Sequence, residues 1–426
     1  MKKLIFPLAL IACFWFIACS SDDSADQNQT MNPNSNPPQG DNDPNIGDGT
    51  VNLTFTACEG GSSDIYACNG YDLLVQMQLS AFGASSANDI WGWTDTTTNR
   101  EYALIGLDNG TAFVDITDTE NPIYLGKLLT ATNASPWRDV KVYGDFAFIV
   151  AEATNHGMQV FDLKRLRNVS DPPQVFTADA RYTGIGNAHN VVINEATGFA
   201  YPVGTARNDA FSGGVHFIDI QTPSTPVLAG GYGANGYSHD AQVITYNGPD
   251  ADYTGREIFV GANEDQIAIV DITDKNSPAE IETLTYDRIG YTHQGWFTDD
   301  QRYFILGDEL DETNFGFSSR TLVFDFTDLD NPVLHMTYLG PTTAIDHNGY
   351  VLGDQFFLAN YTAGVRILDI SDIDNQNITE EAFFDTYPQN NTPSFNGVWS
   401  VYPYFESGKI IVSDVNSGFF VIQKSN

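Results

Sequence analysis

The stretch Ala268-Ile269-Val270-Asp271-Ile272-Thr273-Asp274-Lys275-Asn276-Ser277-Pro278 decides the fold, because its pattern recurs along the chain. An apolar run ending in Asp appears as AFVDI (112–116), QVFDL (159–163), HFIDI (216–220), AIVDI (268–272), LVFDF (322–326) and RILDI (366–370). The Asp residues stand at 115, 162, 219, 271, 325 and 369, at steps of 47, 57, 52, 54 and 44. Five of the six lead into a Pro-containing turn, and the sixth has Gln376 where the Pro would be. Pro, Asn and Asp close tight turns through a fixed φ and through side-chain bonds to backbone, so each unit reads strand, turn, strand. Further short apolar runs precede the motif, as in AQVITY (241–246) and EIFVGA (257–262). Four short strands in about 50 residues make one propeller blade.

A seventh, degenerate unit ends the series with runs at 398–402, 409–414 and 418–423, and Gln423 takes the Asp position. It lacks a fourth strand, and YDLLVQMQL (71–79) has the pattern to supply one. The expected fold is therefore all-β, a seven-bladed β-propeller of four-stranded antiparallel blades closed by an N-terminal strand, which leaves no open sheet edge at the seam. The blades fall near 88–128, 137–179, 188–232, 238–286, 292–339, 346–387 and 397–423 plus 71–79. No stretch sustains a 3.6-residue period, which excludes a helical solenoid.

AIVDITDKNSP resembles the LVIVD repeat. The longer strings NDIWGWTD (88–95), HGMQVFDL (156–163), YTHQGWFTDD (291–300), GDELDE (307–312) and IDHNGY (345–350) are similar to the choice-of-anchor B family of surface proteins. The resemblance covers roughly residues 57–426 and implies an exported, anchored β-propeller; it brings no activity and no catalytic residues.

The N-terminus fits that expectation. Met1-Lys2-Lys3 precedes an apolar run to Ala18 that is too short for a stable transmembrane helix and reads as an export signal, residues 1–18. Phe16-Ile17-Ala18-Cys19 looks like a bacterial lipobox, which makes Cys19 the lipidated residue and the anchor. Ser20-Ser21-Asp22-Asp23 is similar to the acidic tract of surface-exposed lipoproteins, so the expected location is the outer face of the outer membrane. Residues 19–50 read as a disordered tether, since their Asn, Pro, Asp and Gly offer little apolar surface to offset chain entropy. Residues 51–426 form the propeller. Cys58 and Cys68 remain as a pair, and in an oxidising envelope two nearby cysteines most simply form a disulfide.

Of 426 residues, 55 are Asp or Glu and 19 are Lys or Arg, giving a net charge of −36. That balance excludes nucleic acid as a partner and disfavours adsorption to anionic lipid. A monomer is expected.

Aligning the starts of the innermost strands gives one slot per blade: Asn88, Arg138, His189, His239, His293, His347 and Asn396. Four of the seven histidines of the chain thus fall in consecutive blades. The ends of the second strands join the same face with Asp108, Glu152, Thr205, Glu264, Asp308, Asn360 and Asp414, of which Asp108 and Asp414 read as solvated loop acids. Trp91, Trp137, Trp296 and Trp399 stand within three residues of the slots and mark the same binding face, where aromatics either stack on a sugar or pack between blades. In one reading His189, His239, His293 and His347 with Glu152, Glu264 and Asp308 bind a divalent cation, zinc, iron or manganese. In the other each His fixes blade-to-blade register. The run Asp308-Glu309-Leu310-Asp311-Glu312 also offers oxygens enough for calcium. No nucleophile elbow, phosphate loop or HExxH is present, so no catalytic residue is assigned. The function expected is a non-enzymatic surface module that binds a protein or glycan through its loop-rich face. A metal-dependent hydrolase or lyase is the alternative.

Overall fold

The structure, a computed structural model, describes residues 45–425. The residues expected to form the export signal, Cys19 and the expected tether up to residue 44 lie outside the described residues. The apolar runs, buried on both faces in the middle strands, build seven sheets whose blades are antiparallel. Blade 1 holds Ala87–Asp95, Arg100–Leu107, Gly110–Asp115 and Ile123–Leu129. Blade 4, which contains the stretch that decides the fold, holds Asp240–Thr245, Glu257–Ala262, Ile267–Asp271 and Ala279–Leu284. Innermost strands touch in sequence around a ring, and the seventh meets the first. The fold is a seven-bladed β-propeller.

The repeated Asp is a turn cap. Asp115 Oδ1 accepts from Thr117 N at 3.0 Å and from Thr117 Oγ1 at 2.6 Å. Thr117 Oγ1 in turn accepts from Glu101 N at 3.1 Å, which ties the turn back to the second strand. The same circuit recurs in blade 4, where Thr273 N donates to Asp271 and Glu257 N donates to Thr273 Oγ1. Blades then pack face to face through apolar side chains, as where Phe113 of blade 1 stacks on Phe161 of blade 2 at 4.7 Å.

The ring closes as the N-terminal strand reading requires. Tyr71–Met77 pairs antiparallel with Gly418–Lys424, Tyr71 opposite Lys424 and Met77 opposite Phe419. Just upstream, Tyr66–Asn69 adds to the outer edge of blade 6, Cys68 opposite Phe384, so the N-terminal segment holds blades 6 and 7 together. Cys58 and Cys68 form a disulfide with Cα atoms 6.0 Å apart, which fixes the start of this segment.

Three details depart from the expected blade plan. Residues 45–50, placed in the tether, run against blade 1 and the helical turn Leu79–Phe82 before it: Tyr124 Oη donates to Ile46 O at 2.7 Å and Gly49 N to Ala81 O at 2.9 Å. Gln174–Phe176, inside the bounds 137–179 read for blade 2, instead pairs parallel with Ile123–Leu129 of blade 1. The outer strand of blade 2 is Ala180–Tyr182, beyond the expected end at 179. Gly126 makes the first crossing possible, because a Cβ there would fall 2.0 Å from Gln174 O.

Candidate functional site

The axial channel has two ends of different chemistry. At the end where the inner strands begin, the histidines stack on one another. Ring centroids lie 4.1 Å apart for His189 and His239, 4.5 Å for His239 and His293, and 4.4 Å for His293 and His347. Trp399 continues the row 4.8 Å beyond His347. These side chains escape the pleat for a local reason. His293 sits at a bulge, between the pairs Thr292 with Asp308 and Gln294 with Gly307, and a bulge re-aims the extra residue. His189 and His239 stand one residue ahead of strands Asn190–Asn194 and Asp240–Thr245.

The same bulge corrects the slot assigned to blade 7. Val398 pairs with Asp414 and Ser400 with Ser413, so the bulged residue equivalent to His293 is Trp399, not Asn396. Asn396 lies in the preceding loop, bonded to Ser394 Oγ and Asn416. Arg138 is turned away from the row of rings, into the joint between blades 1 and 2, donating to Leu107 O at 2.9 Å and Thr130 Oγ1 at 2.8 Å. Burial pushes its guanidinium down to about 10. Asn88 likewise holds a joint, donating to Pro136 O at 2.9 Å.

Each imidazole but one is oriented through Nδ1. His189 Nδ1 meets Glu152 Oε1 at 2.6 Å, His239 Nδ1 meets Tyr291 Oη at 2.9 Å, and His347 Nδ1 donates to Trp399 O at 2.6 Å. His293 Nδ1 has no hydrogen-bond partner. Facing the row is Glu309, which is fully buried. Its Oε2 lies 3.7 Å from His293 Nε2 and lacks a hydrogen-bond partner, and its Oε1 lies 3.6 Å from His347 Nε2 while accepting from Tyr361 Oη at 3.0 Å. Burial pushes Glu309 up to about 7. Burial, with the other histidines, holds His239 and His293 well below the usual imidazole range, and burial takes His347 to about 3. At His189 burial, the largest single effect, is outweighed by the bond to Glu152 together with the charges of Glu152, Asp240 and Glu309, so its value rises. The space enclosed here is only about 10 Å³, room for one ion or water and not for a substrate.

The expected carboxylates divide. Glu152 reaches the site through His189. Glu264 does not, because it pairs with Arg207 at 2.6 Å in the loop above. Asp308 is held by backbone N–H of Gly290 and Tyr291 and by Tyr286 Oη, and its neighbour Glu309 takes the place foreseen for it. The run 308–312 does not form one calcium cage, since Glu309 faces the histidines, Asp311 binds the Arg320 guanidinium and Glu312 accepts from Arg320 N. Asp414, read as solvated, is fully buried and accepts from Thr386 Oγ1, Asn416 N and Ser417 N. Asp108 is half-buried and accepts from Ser85 N.

Three residues beyond the slots the channel widens into a cavity of about 360 Å³. Trp91, Trp296, Tyr402 and Tyr404 wall it, with Lys141, Gln242, Glu195 and Asp299 as polar groups. The four tryptophans therefore do not share one face: Trp137 and Trp399 line the histidine end, Trp91 and Trp296 the opposite cavity. Trp296 packs edge-on against Tyr350 at 4.9 Å, and Trp91 against Tyr402 at 5.0 Å, which holds the aromatic wall in place. Sequence reading missed Tyr402, Tyr404, Lys141 and Gln242. For Lys141 and Gln242 the signal was the three-residue offset that carried Trp91 and Trp296; Tyr402 shows the same offset only from Trp399, and Tyr404 lies outside it.

The family model described as the LVIVD repeat matches residues 137–172 and 256–286, in blades 2 and 4. No curated protein matches the chain. Among solved structures, a crystal structure of a protein from Lactobacillus plantarum is similar, 14% identical, covering 76% of this chain and 88% of that one with a TM-score of 0.49. The chain is thus a seven-bladed propeller carrying LVIVD repeats.

Proposed function

We propose that this chain is an exported, lipid-anchored surface propeller that binds a glycan in the aromatic-walled end of its axial channel. The observation that carries the reading is the cavity of about 360 Å³ walled by Trp91, Trp296, Tyr402 and Tyr404 and edged by Lys141, Gln242, Glu195 and Asp299. Aromatic faces cover the apolar C–H surface of a sugar ring, while a few polar groups at the rim set orientation. Its size suits a short saccharide better than a protein surface, which needs a broad interface. The lipobox at Cys19 and the polar run that follows it support display outside the cell.

The test is a glycan array probed with the mature chain, followed by titration of each hit with tryptophan fluorescence as readout. Trp296→Ala is expected to abolish binding while the protein keeps its β-rich circular dichroism. Equal affinity for Trp296→Ala and wild type would remove the cavity from consideration. For the anchor, Cys19→Ala is expected to release the protein from the membrane fraction, and retention there would count against lipidation.

A further inference from the structure

We propose that the histidine end of the channel, remote from the aromatic cavity, is a closed binding site for one first-row divalent cation, zinc being the best match, with His239, His293, Glu309 and His347 as ligands. Donor atoms of His239, His293 and Glu309 all lie within 4.8 Å of one another. His347 Nε2 stands 3.6 Å from the second oxygen of Glu309.

Three independent features fit a cation. The first is spacing. Nitrogen and oxygen donors about 2.0–2.1 Å from a tetrahedral ion are about 3.3 Å apart, so the separations of 3.6 and 3.7 Å from the two Glu309 oxygens to His347 and His293 are close to that value, while the remaining spacings of the group, up to 4.8 Å, must contract on binding and His347 must move in as the fourth donor. The same separations are too long for hydrogen bonds. The second is the unpartnered carboxylate oxygen. Glu309 Oε2 is fully buried, aims at His293 Nε2 and has no hydrogen-bond partner, an arrangement that a positive ion completes. The third is the outer layer. Metal-bound imidazoles give their other ring nitrogen to a carboxylate, carbonyl or similar group, which fixes tautomer and orientation. His239 does this through Tyr291 Oη and His347 through Trp399 O, and Tyr361 Oη braces Glu309.

Because the enclosed space takes a single ion, the site is structural in kind. It would link blades 4, 5 and 6 across the axis, and it leaves the aromatic cavity as the place for a larger ligand. The glycan reading does not depend on it, and either can fail alone.

The experiment strips the purified mature chain with a chelator and titrates it with Zn²⁺ in competition with a chromophoric chelator, so that loose binding to surface carboxylates is outcompeted. Co²⁺ replaces Zn²⁺ for spectroscopy. The expected result is one equivalent bound, a cobalt spectrum of four-coordinate type, and a higher thermal midpoint in the presence of Zn²⁺. Glu309→Gln keeps the shape of the side chain and is expected to lower affinity at least about a hundredfold, with Tyr291→Phe lowering it about tenfold. Trp296→Ala, in the other cavity, should bind zinc as wild type does. Less than 0.2 equivalents on the folded chain overturns the proposal, as does a Glu309→Gln titration that superimposes on the wild type.

Discussion

Lys141 of blade 2 places its ammonium 2.9 Å from the carboxylate of Asp89 in blade 1 and 2.7 Å from that of Asp139 in its own strand, all three side chains being buried. Asp89 and Asp139 also receive backbone N–H from the next blade, at Val140 and Val191 respectively. One cation thus holds two inter-blade struts at the floor of the aromatic cavity, where it also lies 4.8 Å over the ring of Trp91. Burial and the charge of Asp89 push Asp139 well above the usual carboxylate range, so the cluster tolerates little more negative charge. Replacing Lys141 by Met leaves the buried Asp89–Asp139 pair and its negative charge without their cation, a change that costs about 3–5 kcal/mol. Adding Asp139→Asn to Lys141→Met should recover part of that loss. Denaturant unfolding of the three variants measures it, and a double mutant no better than the single would contradict the charge argument.

How much of this was legible follows from how local each feature is. The Asp cap on the N–H two residues on closes within three residues, so six of the seven blades repeat it in sequence, with Thr as the capped residue after 115, 271 and 325. The histidine slots were visible for the same reason. Blade 7 was not, because its slot depends on a bulge that only the pairing of Val398 with Asp414 reveals, and Asn396 looked equally suitable. Glu309 was hidden behind Asp308. Adjacent residues at a strand end point to different sides, and nothing in the sequence says which one faces the axis. The crossing of Gln174–Phe176 to blade 1 is a three-residue, non-local pairing that leaves no periodic trace.

The turn circuit predicts additive losses. Thr117 Oγ1 bonds both Asp115 and Glu101 N, and Thr273 Oγ1 accepts from Glu257 N, with no partner in common. Thr117→Val and Thr273→Val each remove side-chain bonds at little change in volume and are expected to cost about 1 kcal/mol. Because blades 1 and 4 share no contacts at these turns, the double mutant should lose the sum within about 0.5 kcal/mol. A clear excess over the sum would mean that the turns are coupled around the ring.

Asp385 gives a pH dependence with a definite sign. The residue is buried near Asp414 and accepts from Tyr387 N at 2.9 Å; burial raises its carboxyl to about 6. A carboxyl whose folded value lies above its unfolded value near 3.8 binds more protons when folded, so its contribution is complete below about 4 and is lost as pH rises through about 6. The loss is at most about 3 kcal/mol, taking about 1.4 kcal/mol per pH unit. Asn can still accept from Tyr387 N and does not titrate. Thermal midpoints at pH 4.5 and 7 should therefore differ less for Asp385→Asn than for wild type, and identical differences would refute the assignment.

The seam supplies the last prediction. The disulfide from Cys58 to Cys68 closes a loop of sequence separation 10, and Cys68 then pairs with Phe384 of blade 6 only a few residues before Tyr71–Met77 enters blade 7. In the chain-entropy picture a loop of that length is worth about 2–3 kcal/mol. A repeat ring unfolds from wherever neighbouring units are least well joined. Replacing both cysteines by Ser should therefore weaken the closure and not the blades at large. Hydrogen exchange is the discriminating measurement. Faster exchange is expected in Tyr66–Asn69, Tyr71–Met77, Asn377–Phe384 and Gly418–Lys424, with Asn190–Asn194 and Asp240–Thr245 unchanged. Acceleration spread evenly over all seven blades would show that the ring opens as one cooperative unit and that its seam is no weaker than any other joint.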